Sequence, residues 1–304
     1  VSVGVKRLAL VGLGLIGSSI ARAVREKLPE IAVVGFAASE ATRRRARELG
    51  FCHEIREDAG AAVAGADLVI LCAPVGANAA IGAAIGPHLA EGAILSDVGS
   101  VKAAVVRDLK PHLPAHVRFI PGHPVAGTEK SGPDAGFASL FENRWCILTP
   151  VPPAEPEAVA RLRAFWEALG SIVEIMDAEH HDLVLAITSH IPHLIAYNIV
   201  GTAADLENVT QSEVIKFSAG GFRDFTRIAA SDPTMWRDVF LNNKDAVLEM
   251  LGRFTEDLTA LQRMIRYGDG EGLHRLFSRT REIRRGIVAL GQETAEPDFG
   301  RRKG

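Results

Sequence analysis

The segment Gly122-His123-Pro124-Val125-Ala126-Gly127-Thr128-Glu129 reads as a loop rich in glycine and proline that holds a histidine. An imidazole with a pKa near 6.5 takes up a proton at neutral pH, so His123 is a candidate general base. A lone histidine is often structural, and position has to decide between the two roles. Upstream, Asp97-Val98-Gly99-Ser100-Val101-Lys102 offers Ser100 as a hydrogen-bonding partner for a reacting hydroxyl; its alternative role is N-cap of a helix starting near Val101. Gly220-Gly221-Phe222-Arg223-Asp224-Phe225-Thr226-Arg227-Ile228 opens with two glycines and then sets two arginines on one face if helical. Guanidinium binds carboxylate in a bidentate fork. Arg227, near Phe225 and Ile228, suits that task better, whereas Arg223 and Asp224 have a solvated face as their alternative. Ser189-His190-Ile191-Pro192-His193 brings two histidines to metal-binding spacing, but no third ligand is evident and no metal is expected.

A cofactor signal precedes all of these. Leu8-Ala9-Leu10-Val11-Gly12-Leu13-Gly14-Leu15-Ile16-Gly17 gives GxGxxG directly after a strand pattern and at the opening of a helix pattern. In a dinucleotide site Gly12 allows the tight turn, Gly14 lets the backbone approach a pyrophosphate, and Gly17 allows close helix packing. Leu15 and Ile16 at the helix N-terminus, and Ala73 and Pro74 after the strand pattern at 68–72, complete the expected cofactor contacts. The acidic residue that normally holds the NAD ribose, about 20 positions on, is missing. Ala37-Ala38-Ser39 stands there, followed by Arg43-Arg44-Arg45, so Ser39 and Arg43 are candidates for a 2′-phosphate. The same arginines also read as the wet face of a surface helix. NAD is expected, with NADP possible.

These residues need a scaffold that gathers them at one edge. Apolar strand patterns at 8–11, 32–36, 68–72, 93–96, 118–120 and 172–175 alternate with helical stretches such as 16–27, which predicts an α/β Rossmann-type doubly wound parallel sheet. Ser100 and His123 each follow a strand, at the carboxyl edge where ligands of such sheets collect. After Asp177 the strand patterns give out, and runs such as 182–206 and 233–267 carry apolar residues at helical spacing. The expected organisation is a dinucleotide-binding domain over 1–177, an all-α domain over 178–291, and a disordered tail over 292–304. The apolar excess of those helices implies burial against a second copy, hence a homodimer.

Composition excludes several partners. The 304 residues carry a formal net charge of −3, too little basic charge for nucleic acid or an anionic membrane surface. Cys52, Cys72 and Cys146 form no CxxC pair, which suits a reduced cytoplasmic setting. No signal peptide is seen at the start, and no apolar stretch is expected to reach the roughly 18 residues of a membrane span. Small molecules are the expected partners.

The motifs above, with Gly12 to Ser19, Asp97 to Lys102, Gly122 to Glu129, Ser189 to His193 and Gly220 to Arg227 in order, resemble those of prephenate/arogenate (cyclohexadienyl) dehydrogenases from about Arg7 to Gly291. The resemblance implies a Rossmann domain followed by a helical dimerisation domain. It implies oxidative decarboxylation of prephenate or arogenate to 4-hydroxyphenylpyruvate or tyrosine, with hydride transfer to NAD(P), in tyrosine biosynthesis. It implies that His123 accepts the ring hydroxyl proton, that Ser100 bonds that hydroxyl or the histidine, and that Thr128 and Glu129 lie near the pocket entrance. Ser189, His193, Gly220, Arg223, Asp224, Arg227 and Trp236 are then substrate-pocket residues, although by pattern alone Trp236 reads as core and His190 as a polar patch.

Two other functions share parts of this pattern. β-Hydroxyacid dehydrogenases rely on a lysine in the first long helix of the second domain, and this chain has none between Lys130 and Lys216. A redox sensor that binds NAD(H) without turnover would not need His123, Ser100 and Arg227 together. The expected domains leave no room for a fused mutase or an amino-acid-binding regulatory domain.

Overall fold

The structure, a computed structural model, describes residues 3–210, 216 and 219–289. The chain forms two compact units, Val1–Val247 and Leu248–Gly304. The segment 292–304, expected to be a disordered tail, lies outside the described residues.

The first unit is built on six parallel strands, β1 (Arg7–Val11), β2 (Ala32–Phe36), β3 (Glu54–Ile55), β4 (Leu68–Leu71), β5 (Ile94–Asp97) and β6 (Arg118–Phe119), in the order β3-β2-β1-β4-β5-β6. Alternation along the strands feeds two layers. Leu8, Leu10, Leu68 and Ile70 pack into one core, and Ala9, Val11, Val69 and Leu71 into the other. Both faces are covered, which is why β1 and β4 read as continuous apolar runs. Each leucine, isoleucine or valine among them, fully buried, contributes about 1.5–3 kcal/mol. The helices between the strands are α1 (Leu15–Lys27), α2 (Glu40–Leu49), α3 (Ala59–Val63), α4 (Asn78–Ile85) and α5 (Ala103–Leu109). The strand order reverses between β1 and β4, the point where sheets of this kind take their ligands at the carboxyl ends.

A second sheet holds β7 (Gly122–Pro124), antiparallel to β8 (Trp145–Leu148), which pairs in parallel with β9 (Ile172–Ile175) after α6 (Pro156–Ala168). Two sequence expectations change here. Residues 172–175 do form a strand, but in this small sheet and not in the doubly wound one. His123 lies within β7, opposite Ile147, and not in a loop. Pro124 is tolerated because it ends a three-residue strand.

The helical part begins with α7 (Ala178–Leu185), capped by Asp177, whose carboxylate accepts from the His180 N–H at 2.7 Å. A π-helical turn, Ala186–His190, leads into α8 (Ile191–Thr210). Pro192 lacks an N–H and would crowd the carbonyl four residues back, and the wider turn accommodates it. Then come α9 (Gly220–Thr226), a short 3-10 turn at Arg227–Ala230, and α10 (Pro233–Asn242) capped by Asp232. The run 233–267 is interrupted at Asn243, before α11 (Lys244–Tyr267); α12 (Gly270–Ala289) lies wholly in the second unit.

Contrary to the sequence expectation, the stretch Ala178–Leu206 is long and apolar enough to cross a membrane by length and composition. Its inward side carries buried His181, Asp182 and His190, whose partners are described next.

Candidate active site

The dinucleotide fingerprint folds as its spacing requires. Gly12 takes φ +110°, and a side chain there would strike the Cys72 carbonyl; one at Gly17 would strike the Gly12 carbonyl. Gly14, by contrast, faces open space. It caps α1 with no side-chain hydrogen bond, and no acidic residue stands in the first turn. The first amides of α1, with Leu15 and Ile16 half-buried beside them, are therefore open to an anion, and the residues present fit a pyrophosphate. Ala73 and Pro74 follow β4 at the same edge.

At the end of β2, the Ser39 hydroxyl accepts from the Thr42 N–H and caps α2. Arg43 donates to the carbonyls of Ala37 and Ala38 at 2.7 and 2.9 Å, with its guanidinium 5.9 Å from the Phe36 ring centre. Arg45 is instead tied to Asp134 and Glu48, and Arg44 is exposed. Of the three arginines, only Arg43 is anchored to the β2 end.

The segment after β5 builds the surroundings of His123. Asp97 and Lys102 form an ion pair with side chains 3% and 0% exposed. Lys102 Nζ also donates to the Gly122 carbonyl at 2.7 Å, while Asp97 accepts from the Gly99 N–H at 2.8 Å and the Gly122 N–H at 3.1 Å. Both backbone groups of the residue before His123 are thus clamped by one buried pair. Helix α5 starts at Ala103 with Lys102 as its cap residue, so Ser100 is not its N-cap. Asp182 from α7 replaces that cap, its carboxylate accepting from the N–H groups of Lys102 and Ala103 at 2.7 and 2.9 Å. Ser100 stays half-buried between these two supports.

His123 is 7% exposed. Its Nδ1 lies 2.9 Å from His181 Nε2, and His181 Nδ1 lies 2.8 Å from Asp182 Oδ1. Burial holds the His123 imidazole well below its usual pKa, reinforced by His181, Lys102 and His190, so it rests neutral. His181 is also lowered by burial, against the pull of Asp182. Burial pushes His190 down to about 4. Asn243 fixes that ring, donating to His190 Nδ1 at 3.1 Å and to the Asp182 carbonyl at 2.8 Å.

The expected substrate residues divide into two groups. His193 stacks on Trp236 with ring centres 3.6 Å apart, and its Nδ1 meets the Ser189 carbonyl at 2.8 Å. Trp236 is 6% exposed and packs with Val239, so it is part of the core. His190 and His193 therefore point to different partners, and among the described residues no group of three or more candidate ligands could hold a metal. Arg227 donates to Glu129 Oε2 at 2.9 Å, joining the 3-10 turn to the segment after β7. Thr128, half-buried, accepts from the Lys130 N–H. Gly220, Arg223 and Asp224 are exposed on α9.

A pyrophosphate cradle and a neutral buried histidine at one sheet edge suit a dehydrogenase that removes a hydroxyl proton. Comparison with known proteins decides the family. Residues 20–175 match the family described as prephenate dehydrogenase, nucleotide-binding domain, and residues 177–279 match prephenate dehydrogenase, dimerization domain. This chain belongs to the prephenate/arogenate dehydrogenase family. It is an NAD(P)-dependent enzyme of that family. It is 44% identical over 279 residues to a cyclohexadienyl dehydrogenase of Zymomonas mobilis, covering 92% of this chain and 95% of the other. It superposes with TM-score 0.86 on a prephenate dehydrogenase of A. aeolicus in complex with hydroxyphenyl propionate and NAD+, at 33% identity, covering 93% and 98% of the two chains. A Synechocystis arogenate dehydrogenase gives TM-score 0.78 at 29% identity, covering 92% and 99%.

Within this dehydrogenase family reading, the sequence had no role for Asp97, Lys102, His181, Asp182 or Asn243. Their signal was weak: Glu179-His180-His181-Asp182 looks like a solvated face, yet His181 and Asp182 are buried and their neighbours are not.

Proposed function

We propose that His123 is the base of the reaction, taking the proton of the ring hydroxyl while the substrate loses its hydride and its ring carboxylate leaves as CO2. NAD(P), when bound, accepts the hydride. The cradle of Gly12, Gly14, Leu15, Ile16, Gly17, Ala73 and Pro74 would hold the cofactor, with Ser39 and Arg43 toward its ribose. Ser100 orients the reacting hydroxyl. Arg227 binds the side-chain carboxylate, which survives into product, and Arg223, Asp224 and Gly220 flank it. Thr128, Glu129, Ser189, His193 and Trp236 complete the pocket. Both prephenate and arogenate fall within this chemistry, since their rings are the same.

The observation that carries the reading is the neutral, buried imidazole of His123, held against the segment after β5 at the carboxyl edge of the sheet. Replacing His123 by Asn keeps the size and removes the proton acceptor. kcat should fall by roughly 10²–10⁴-fold with cofactor affinity unchanged. Near-full kcat in the folded variant would refute it.

The domain boundary near Asp177 is supported by the break between the two family matches at residues 175 and 177. A homodimer through the helical part is supported by the second match and by exposed Leu258, Ile265, Phe277 and Ile283 on its helices. Three free thiols suit a cytoplasmic setting.

A further inference from the structure

We propose that His181 and Asp182 act as positioning residues for His123, forming a carboxylate–imidazole–imidazole relay that fixes which nitrogen of His123 faces the substrate. The inference rests on the reading of His123 as the base. Its geometry is two consecutive contacts, His123 Nδ1 to His181 Nε2 at 2.9 Å and His181 Nδ1 to Asp182 Oδ1 at 2.8 Å, all three side chains being buried.

Hydrogen-bond polarity orders the chain. An ionised carboxylate only accepts, so His181 must carry its proton on Nδ1. Its Nε2 is then a lone pair and can only accept from His123, which must carry its proton on Nδ1. That leaves His123 Nε2 as the lone pair, the form a base requires. The N–H groups of Lys102 and Ala103 each donate to one oxygen of Asp182, so both oxygens act as acceptors, as in a carboxylate. A proton arriving on His123 Nε2 breaks the substrate O–H bond and forms one N–H bond. His181 and Asp182 keep their protonation, and the carboxylate stabilises the new positive charge through the intervening ring.

The groups facing His123 agree with this role. His181, Lys102 and His190 disfavour a second positive charge in the resting enzyme, Asp97 neutralises Lys102, and Cys146 pairs across from β7 as a thiol kept protonated by burial. Among charged groups reaching the two rings, Asp182 bonds His181 directly, whereas Asp97 is bound to Lys102.

The test uses the full chain and needs no ligand in its first arm. In wild-type protein labelled with 15N-histidine, the nitrogen shifts should show His123 and His181 both protonated on Nδ1, with His123→Asn and His181→Gln spectra giving the assignments. Wild-type His123 protonated on Nε2 would overturn the relay without any activity assay. In the second arm, His181→Phe removes the acceptor and should lower kcat with prephenate by about 10²-fold or more, since a catalytic histidine in the wrong tautomer loses up to about 10⁴-fold. KM should change little. His181→Gln, whose amide oxygen can still accept from His123 Nδ1, should restore kcat to within about tenfold of wild type. Equal kcat in His181→Phe and wild type, or equal loss in Phe and Gln variants, would overturn the relay even where His123→Asn is inactive and the base stands. An active His123→Asn would instead remove the base, and the relay with it.

Discussion

The Arg227–Glu129 pair makes two opposite substitutions predictable together. The guanidinium that should bind the substrate carboxylate is already engaged at 2.9 Å by Glu129, with side chains 36% and 33% exposed. Substrate has to displace that carboxylate. A half-exposed ion pair contributes only about 0.2–1 kcal/mol, so releasing Arg227 by Glu129→Gln should lower KM for prephenate, by at most about fivefold. Losing the guanidinium itself removes a charged contact worth roughly 2–4 kcal/mol. Arg227→Ala should therefore raise KM by about 10²-fold or more, with a smaller fall in kcat, because the side-chain carboxylate is held alike in ground and transition states. Initial rates of reduced-cofactor formation across prephenate concentrations measure both, and the KM for the cofactor should stay constant. Wild-type KM in folded Arg227→Ala, or a tenfold rise in KM for Glu129→Gln, would refute the reasoning and move the anchor to Arg223.

Three further outcomes follow from charges that are buried, missing or anchored. Lys102→Met leaves Asp97 buried without its cation and frees the Gly122 carbonyl, so unfolding in urea should show a loss of about 3–5 kcal/mol, and a loss below about 1 would contradict the clamp. With no carboxylate at the β2 end to repel a 2′-phosphate, preference for NAD over NADP in kcat/KM should stay below about a thousandfold, some 4 kcal/mol; Arg43→Ala should raise KM for NADP about tenfold and barely affect NAD, and an unchanged KM for NADP would remove Arg43 from that role.

What the sequence revealed was local. Gly12 and Gly17 are fixed by contacts within one turn and with the neighbouring strand, so their spacing alone carries the cradle. The strands at 32–36 and 172–175 were legible from apolar, β-branched runs, but not that the second joins the small sheet, because sheet membership depends on partners far along the chain. β3 and β7 are two and three residues long, too short for periodicity, and β7 contains a proline. Ser100 looked like a helix cap because the residues before Ala103 offered no better one locally; the real acceptor, Asp182, lies 80 residues from Lys102. His181 was invisible for a related reason. A buried polar residue is recognisable only by its partners, and His123 and Asp182 meet it through the fold.

The bond from Asp182 to the start of α5 also bears on how such enzymes can be recombined. The two family matches meet between residues 175 and 177, which invites exchange of whole helical segments between relatives at that seam. Yet the first helix past the seam supplies the cap of a helix in the nucleotide-binding sheet, and the neighbouring imidazole that touches His123. A chimaera spliced there inherits His123 from one parent and its partners His181 and Asp182 from the other. Moving the crossover beyond Leu185, the end of α7, would pass the whole hydrogen-bonded chain on as a single heritable block.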